Sequence, residues 1–237
     1  MPKQAVKLAV PGFVALTLSA CMLWHPPALA REAMYPSMAP VSQYLMPEKA
    51  EIALARSAAP SSISADATVM VLGREGYTTV ARGKNGFLCF VERSWGSATT
   101  DPGFWNPKVR GPICFNPAAA RTFAPIYLMK TRFVLAGKSK EGIALALASA
   151  FDKKDLPALE PGAMCYMMSK EQYLGDQGKH WHPHLMFFVS GAATKSWGGN
   201  LLNSPVIATN DPEERATIFM VWVDQWSDGD STLQAGR

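Results

Sequence analysis

Residues 67–95 alternate three short apolar runs with glycine-bearing turns, and this punctuation restricts the chain to folds that contain a β-sheet. The runs are 68–72, 77–80 and 87–91, separated by turns at 73–76 and 83–86. Each is too short for a stable helix and rich in β-branched and aromatic side chains, which pack well on a pleated surface. Asn85-Gly86 is a strong hairpin signal, because both residues tolerate positive φ. The segment reads as an antiparallel meander.

Helical signals flank it. Pro47, with Glu48 and Glu51 in the first turn and Arg56 near the end, predicts a short helix that Pro60 and its serines stop. Asn116 can cap a turn beginning at Pro117, a helix is predicted over 126–136 with Gly137 as its stop, and Ser139 can cap another through Phe151. Ile143, Leu147 and Phe151 share one face of that last helix. Strands return at 164–168, 184–189 and 216–223, while 96–112 is a long loop carrying Phe104 and Trp105. Strands on either side of a helical pair, without repeated strand–helix alternation, give an α+β class: a mainly antiparallel sheet with a helical pair packed on it. At 237 residues and 48% apolar content there is material for one core. We assign 31–60 as an N-terminal arm with the short helix and 61–237 as a single mixed α/β domain.

The first 30 residues follow a different grammar. Lys3 and Lys7 open the chain, an almost wholly apolar run extends from Leu8 to Trp24, and Pro26-Pro27-Ala28-Leu29-Ala30 follows. Positive, apolar and small-residue segments in that order predict a secretory signal peptide over 1–30. The apolar run is just short of the roughly 20 residues needed to span a bilayer as an uncleaved anchor. Leu18-Ser19-Ala20-Cys21 also looks like a lipobox, in which Cys21 is acylated, so two cleavage readings stand side by side. One gives a periplasmic or secreted protein, the other a membrane-tethered lipoprotein. Loss of Lys3 and Lys7 lowers the formal charge from +4 to +2. No basic stripe remains to serve a nucleic-acid partner.

Export permits disulfides, and three cysteines follow residue 30. Cys89 and Cys114 both sit in strand-like apolar runs, and a bridge between them would clamp the intervening loop at a gain of roughly 3 kcal/mol. Cys165 then reads as a buried small hydrophobe.

Three of the four histidines lie in His180-Trp181-His182-Pro183-His184. On a strand the two-residue period puts His180, His182 and His184 on one face. Three imidazoles there suit Zn, Cu, Ni or non-haem Fe, with His182 and His184 as the leading pair and Glu171 or Asp176 as a further ligand. The competing reading is of hydrogen-bonded structural histidines beside Pro183 and Trp181. Asp224, Asp228 and Asp230 lack the spacing of a calcium loop and read as turn residues. Trp197-Gly198-Gly199-Asn200 lacks the setting of a phosphate loop, and no nucleophile elbow is present. No catalytic residue is assigned.

The motifs at 84–93, Tyr166-Met167-Met168-Ser169, 182–188 and Trp226-Ser227-Asp228-Gly229 together resemble a group of uncharacterised secreted bacterial proteins, over roughly residues 60–230. That resemblance implies export and a shared fold, and carries no catalytic role. The expectation is an exported envelope protein whose domain binds a small molecule or an envelope partner. Its rivals are a metal-dependent enzyme centred on His182 and His184 and a structural lipoprotein held to the membrane through Cys21.

Overall fold

The computed structural model describes residues 34–179 and 181–229; the proposed signal segment with Cys21, His180 and Asp230 lie outside them. Five α-helices and eight strands are found among the described residues. The helices are α1 (Glu48–Arg56), α2 (Ser61–Ser64), α3 (Pro117–Thr122), α4 (Ala124–Leu135) and α5 (Lys140–Asp152). The strands are β1 (Thr68–Gly73), β2 (Gly76–Ala81), β3 (Leu88–Glu92), β4 (Gly111–Phe115), β5 (Met164–Met167), β6 (His184–Ser190), β7 (Val206–Asp211) and β8 (Ala216–Trp222). They form one sheet in the order β2-β1-β3-β4-β5-β6-β8-β7. This is the expected α+β class.

The meander needs correction. β1 and β2 pair antiparallel as a hairpin, but β3 lies on the opposite edge of β1 and runs parallel to it. β3 has a run of three buried residues, whereas Thr78 and Thr79 of β2 are exposed, so the more apolar strand takes the interior place and β2 the edge. The connection is held against the start of β1: Lys84 N–H donates to Asp66 O at 3.0 Å and Thr68 N–H to Phe87 O at 2.9 Å. A Cβ on Gly83 would sit 2.0 Å from Asp66 O, so only glycine allows this crossing. Asn85 does not turn a hairpin; its Oδ1 accepts the Phe87 N–H at 3.0 Å and its Nδ2 donates to Ile63 O at 2.7 Å.

The helix boundaries follow their expected chemistry. Asn116 Oδ1 accepts the Ala119 N–H and Ser139 Oγ the Gly142 N–H, each satisfying a donor that the first helical turn leaves unpaired. Gly137, at φ 73°, ends α4 in the left-handed region, and the following Lys138 N–H returns to Phe133 O.

Helices cover both faces of the sheet. On one face α1 packs on β1, β3 and β4, burying Ala55, Ala58, Val69, Val91 and the Cys89–Cys114 disulfide. The two cysteines are direct partners on β3 and β4, with Cα atoms 4.0 Å apart. The bond indicates an oxidising, non-cytoplasmic compartment. On the other face α3, α4 and α5 cover Phe90, Ile113, Phe115, Cys165 and Phe188, with Phe123 stacked on Phe188 at 3.7 Å. The loop aromatics Trp95, Phe104 and Trp105 are buried in this larger core, where the Trp95 indole N–H donates to Thr131 Oγ1. No helix of the described residues is long and apolar enough to cross a membrane.

Candidate functional site

Of the clustered histidines, the two that are described, His182 and His184, do not share one environment. His184 opens β6 and faces the helical core at 2% exposure, its Nδ1 lying 2.8 Å from His182 O. Burial pushes its pKa down to about 4, so the ring stays neutral across the physiological range. His182 precedes the strand, is exposed, and stacks on Trp222 at 4.6 Å. Between them lies the buried Pro183, while Trp181 adopts φ 48°, so the regular two-residue alternation begins only at His184. Glu171 is exposed, with its N–H donating to Ser169 Oγ. Among the described residues no group of three His, Cys, Asp or Glu side chains is placed to hold a metal ion. Zinc-type ligation at His182 and His184 would therefore need ligands from beyond those residues.

Trp181 meets the His184 ring edge-on at 4.8 Å and also lines a cleft of about 550 Å³. One wall is the loop after β3, with Ser94, Ser97, Asp101, Asn106 and Val109; the other is Leu174 to Gly178, and Met34 and Tyr35 of the N-terminal arm form the rim. The far wall is fixed by Asp176. Its carboxylate accepts the hydroxyls of Tyr35 at 2.5 Å and of Tyr173, with Lys108 Nζ at 3.5 Å. Hydrogen bonds from Tyr173 and then Tyr35 hold this carboxyl below the usual aspartate range. Sequence reading offered Asp176 as a metal ligand; the structure instead uses it to join the arm to the cleft wall.

The arm is fixed a second time deeper in the fold. Tyr44 is wholly buried, its hydroxyl donates to Trp105 O at 2.8 Å, and its own carbonyl accepts Arg93 Nε–H at 2.7 Å. Arg93 also forms a buried ion pair with Glu51 of α1 at 2.8 Å, and Glu51 accepts the Leu72 N–H. Arm, α1 and β3 are thus tied through one arginine, which positions the cleft rim.

Asn106 is the cleft residue with unused chemistry. It is 2% exposed, its Oδ1 accepts the Lys108 N–H at 3.0 Å, and its Nδ2 donates to no group among the described residues. The Nδ2 atom is not among the fully buried ones, so it faces the cleft as a donor open to solvent or to a ligand.

Behind the loop lies a second cluster that the sequence did not reveal. Lys130 of α4 is buried and donates to Ser97 O at 3.0 Å and to Glu214 Oε1 at 3.3 Å. Thr99 donates its N–H and hydroxyl to Glu213, so the loop is bound to the β7–β8 turn at two adjacent residues. Glu92 ends β3 with its carboxyl lodged between Gly96 and Gly111; a Cβ on either would come within 2.7 Å of one of its oxygens. No hydrogen-bond donor among the described residues reaches it. Burial, with Glu214 nearby, raises its pKa to about 8, and burial raises Glu214 to about 7.

A further groove of about 780 Å³ lies between α3, α5 and Arg215. Two of its charged groups are committed: Glu214 to Lys130, and Arg215 to Asp152 at 2.5 Å and to the Phe151 ring. The first cleft combines an aromatic wall with a side-chain amide donor that no described residue uses.

Compared with models of protein families, with curated proteins and with solved structures, the chain matches none. The reading of function rests on its own residues.

Proposed function

We propose that this chain is an exported binding domain of the bacterial envelope that holds a small molecule in the cleft between the 94–109 loop and residues 174–178 with Trp181. The observation that carries the reading is the cleft itself, in which the Trp181 indole stands across from Asn106, whose Nδ2 donates to no protein group among the described residues and is open to the cleft. A ligand acceptor there would satisfy it. The cleft volume of about 550 Å³ falls within the range of small-molecule sites, and it combines apolar and aromatic walls with a few placed polar groups. Export is supported by the N-terminal pattern and by the Cys89–Cys114 bond.

A ligand-observed NMR screen of the purified protein against a mixed library of neutral, cationic and anionic small molecules tests it. We expect binders whose signal is lost in Trp181→Ala and weakened in Asn106→Asp. A library in which every binder is indifferent to both substitutions would remove the proposal.

A further inference from the structure

The loop that joins β6 to β7, residues 191–205, carries three of the six large apolar side chains that stand exposed among the described residues: Trp197 at 45%, Leu201 at 65% and Leu202 at 94%. Single exposed leucines are ordinary on a protein surface, but two adjacent ones beside a half-exposed tryptophan form a patch.

The loop is held in place. Trp197 stacks on Phe219 of β8 at 4.5 Å and lies 5.5 Å from Phe187 of β6. A Cβ on Gly199 would stand 2.5 Å from the Ala208 Cβ, so the backbone there lies directly against β7. Asn200 then imitates a neighbouring strand. Its Nδ2 donates to Ala208 O at 2.7 Å, its Oδ1 accepts the Ala208 N–H at 3.0 Å, and its own N–H donates to Val206 O at 3.0 Å. These bonds occupy part of the open edge of β7 and so oppose strand addition by a second copy. Asn200 and Asn203, at φ 61° and 63°, bracket Leu201 and Leu202, a backbone conformation that asparagine tolerates better than most residues. An anchored turn thus holds both leucines out in solvent.

The size and chemistry of the tip suit lipid better than protein. Its three apolar side chains expose a few hundred Å² at most, against roughly 800 Å² that each partner buries in a stable protein interface. Leu202 stands almost wholly clear of the surface, and a deformable acyl layer receives such a side chain without a matching pocket. Lys195, which is exposed, is the only charged residue in 191–205. Leucines that enter the acyl boundary, an indole at headgroup level and a lysine for anionic headgroups are the components of an interfacial contact.

We infer that the 191–205 loop is a lipid-contact element that seats the folded domain on a bilayer surface, with Leu201 and Leu202 entering the acyl boundary. The contact is separate from any acyl chain on Cys21 and does not depend on the cleft being a ligand site.

The test is co-sedimentation of the purified protein, in a Cys21→Ala background so that no acyl chain contributes, with phosphatidylcholine vesicles with and without phosphatidylglycerol. Binding is expected, at least tenfold weaker in Leu201→Ser/Leu202→Ser, while Lys195→Gln weakens it about fivefold on the anionic vesicles alone. Melting curves establish that the variants are folded. A polarity-sensitive fluorophore on Leu202→Cys should shift to the blue on vesicles, and one on Glu75→Cys, in the turn between β1 and β2 at the other edge of the sheet, should not. A protein that leaves the vesicles unbound, binding that the double serine variant leaves unchanged, or a fluorophore at position 202 that stays in water on bound protein would overturn the inference. A wild-type dimer in sedimentation velocity that the serine variant dissociates, without vesicle binding, would overturn it too and assign the tip to a contact between copies.

Discussion

Replacing Glu92 by Gln should stabilise the protein in a pH-dependent way. The Glu92 carboxyl ends β3 between two glycines, with no donor among the described residues, and titrates near 8 in place of 4.5 because burial penalises its charge. Between those values the folded state holds more protons than the unfolded one, so stability falls as pH rises from about 4.5 to about 8. The full cost of ionising such a group is on the order of 5 kcal/mol. Glu92 keeps partial contact with solvent, which reduces this to ~2–3 kcal/mol. Glutamine has the same shape and no charge, so Glu92→Gln should match the wild type near pH 5 and exceed it by ~2–3 kcal/mol at pH 8.5. Urea unfolding at several pH values, with the disulfide intact and the slope of each transition compared, measures the difference directly. A stability difference that does not change with pH, or a variant weaker than wild type at pH 8.5, would refute the reasoning.

Four further outcomes are expected. Substituting Cys89 and Cys114 together by Ala should cost roughly 3 kcal/mol in urea melts, and added reductant should then leave the variant's midpoint unchanged. Lys130→Met leaves the buried Glu214 without its cation and Ser97 O without its donor; a loss of ~3 kcal/mol at pH 8 is expected, shrinking at pH 5 where Glu214 is neutral. The His184 imidazole should stay neutral in NMR titration until the pH nears 4, and its contribution to stability should be lost as pH falls from 6.5 toward that value; protonation near 6.5 would contradict its placement in the core. Protein recovered from cells should lack at least the first 20 residues by mass spectrometry, whereas an intact N-terminus in a cytosolic fraction with reduced Cys89 and Cys114 would contradict export.

Local chemistry made much of the fold legible. Ser139 and Asn116 cap helices because their oxygens reach backbone donors within the same turn, and Gly137 stops α4 because it adopts positive φ freely. Cys89 and Cys114 could be paired because each sits in an apolar strand run. Strand order was harder to read, since Asn85-Gly86 has the same local chemistry in a hairpin as in the crossover that lays β3 beside β1. β7 went unforeseen; it is an edge strand with four of its six residues partly or fully exposed and no strict alternation. The cleft draws on three separated segments, Tyr35, the 94–109 loop and residues 174–178 with Trp181, whose shared wall exists only after folding. No spacing connects Glu92, Lys130 and Glu214 either, and only burial distinguishes these charges from ordinary surface residues. The histidine cluster was conspicuous in sequence, but the strand begins at His184, which separates a buried ring from an exposed one.

Side-chain NMR offers the most direct check on the cleft as a binding site: the purified protein, labelled with nitrogen-15, is titrated with the tightest molecule from the screen while the Asn106 amide and Trp181 indole signals are followed. Both should shift and saturate with one common dissociation constant. Shifts confined to the groove around Phe151 and Arg215, or signals from Asn106 and Trp181 that stay fixed while the molecule binds, would contradict the account.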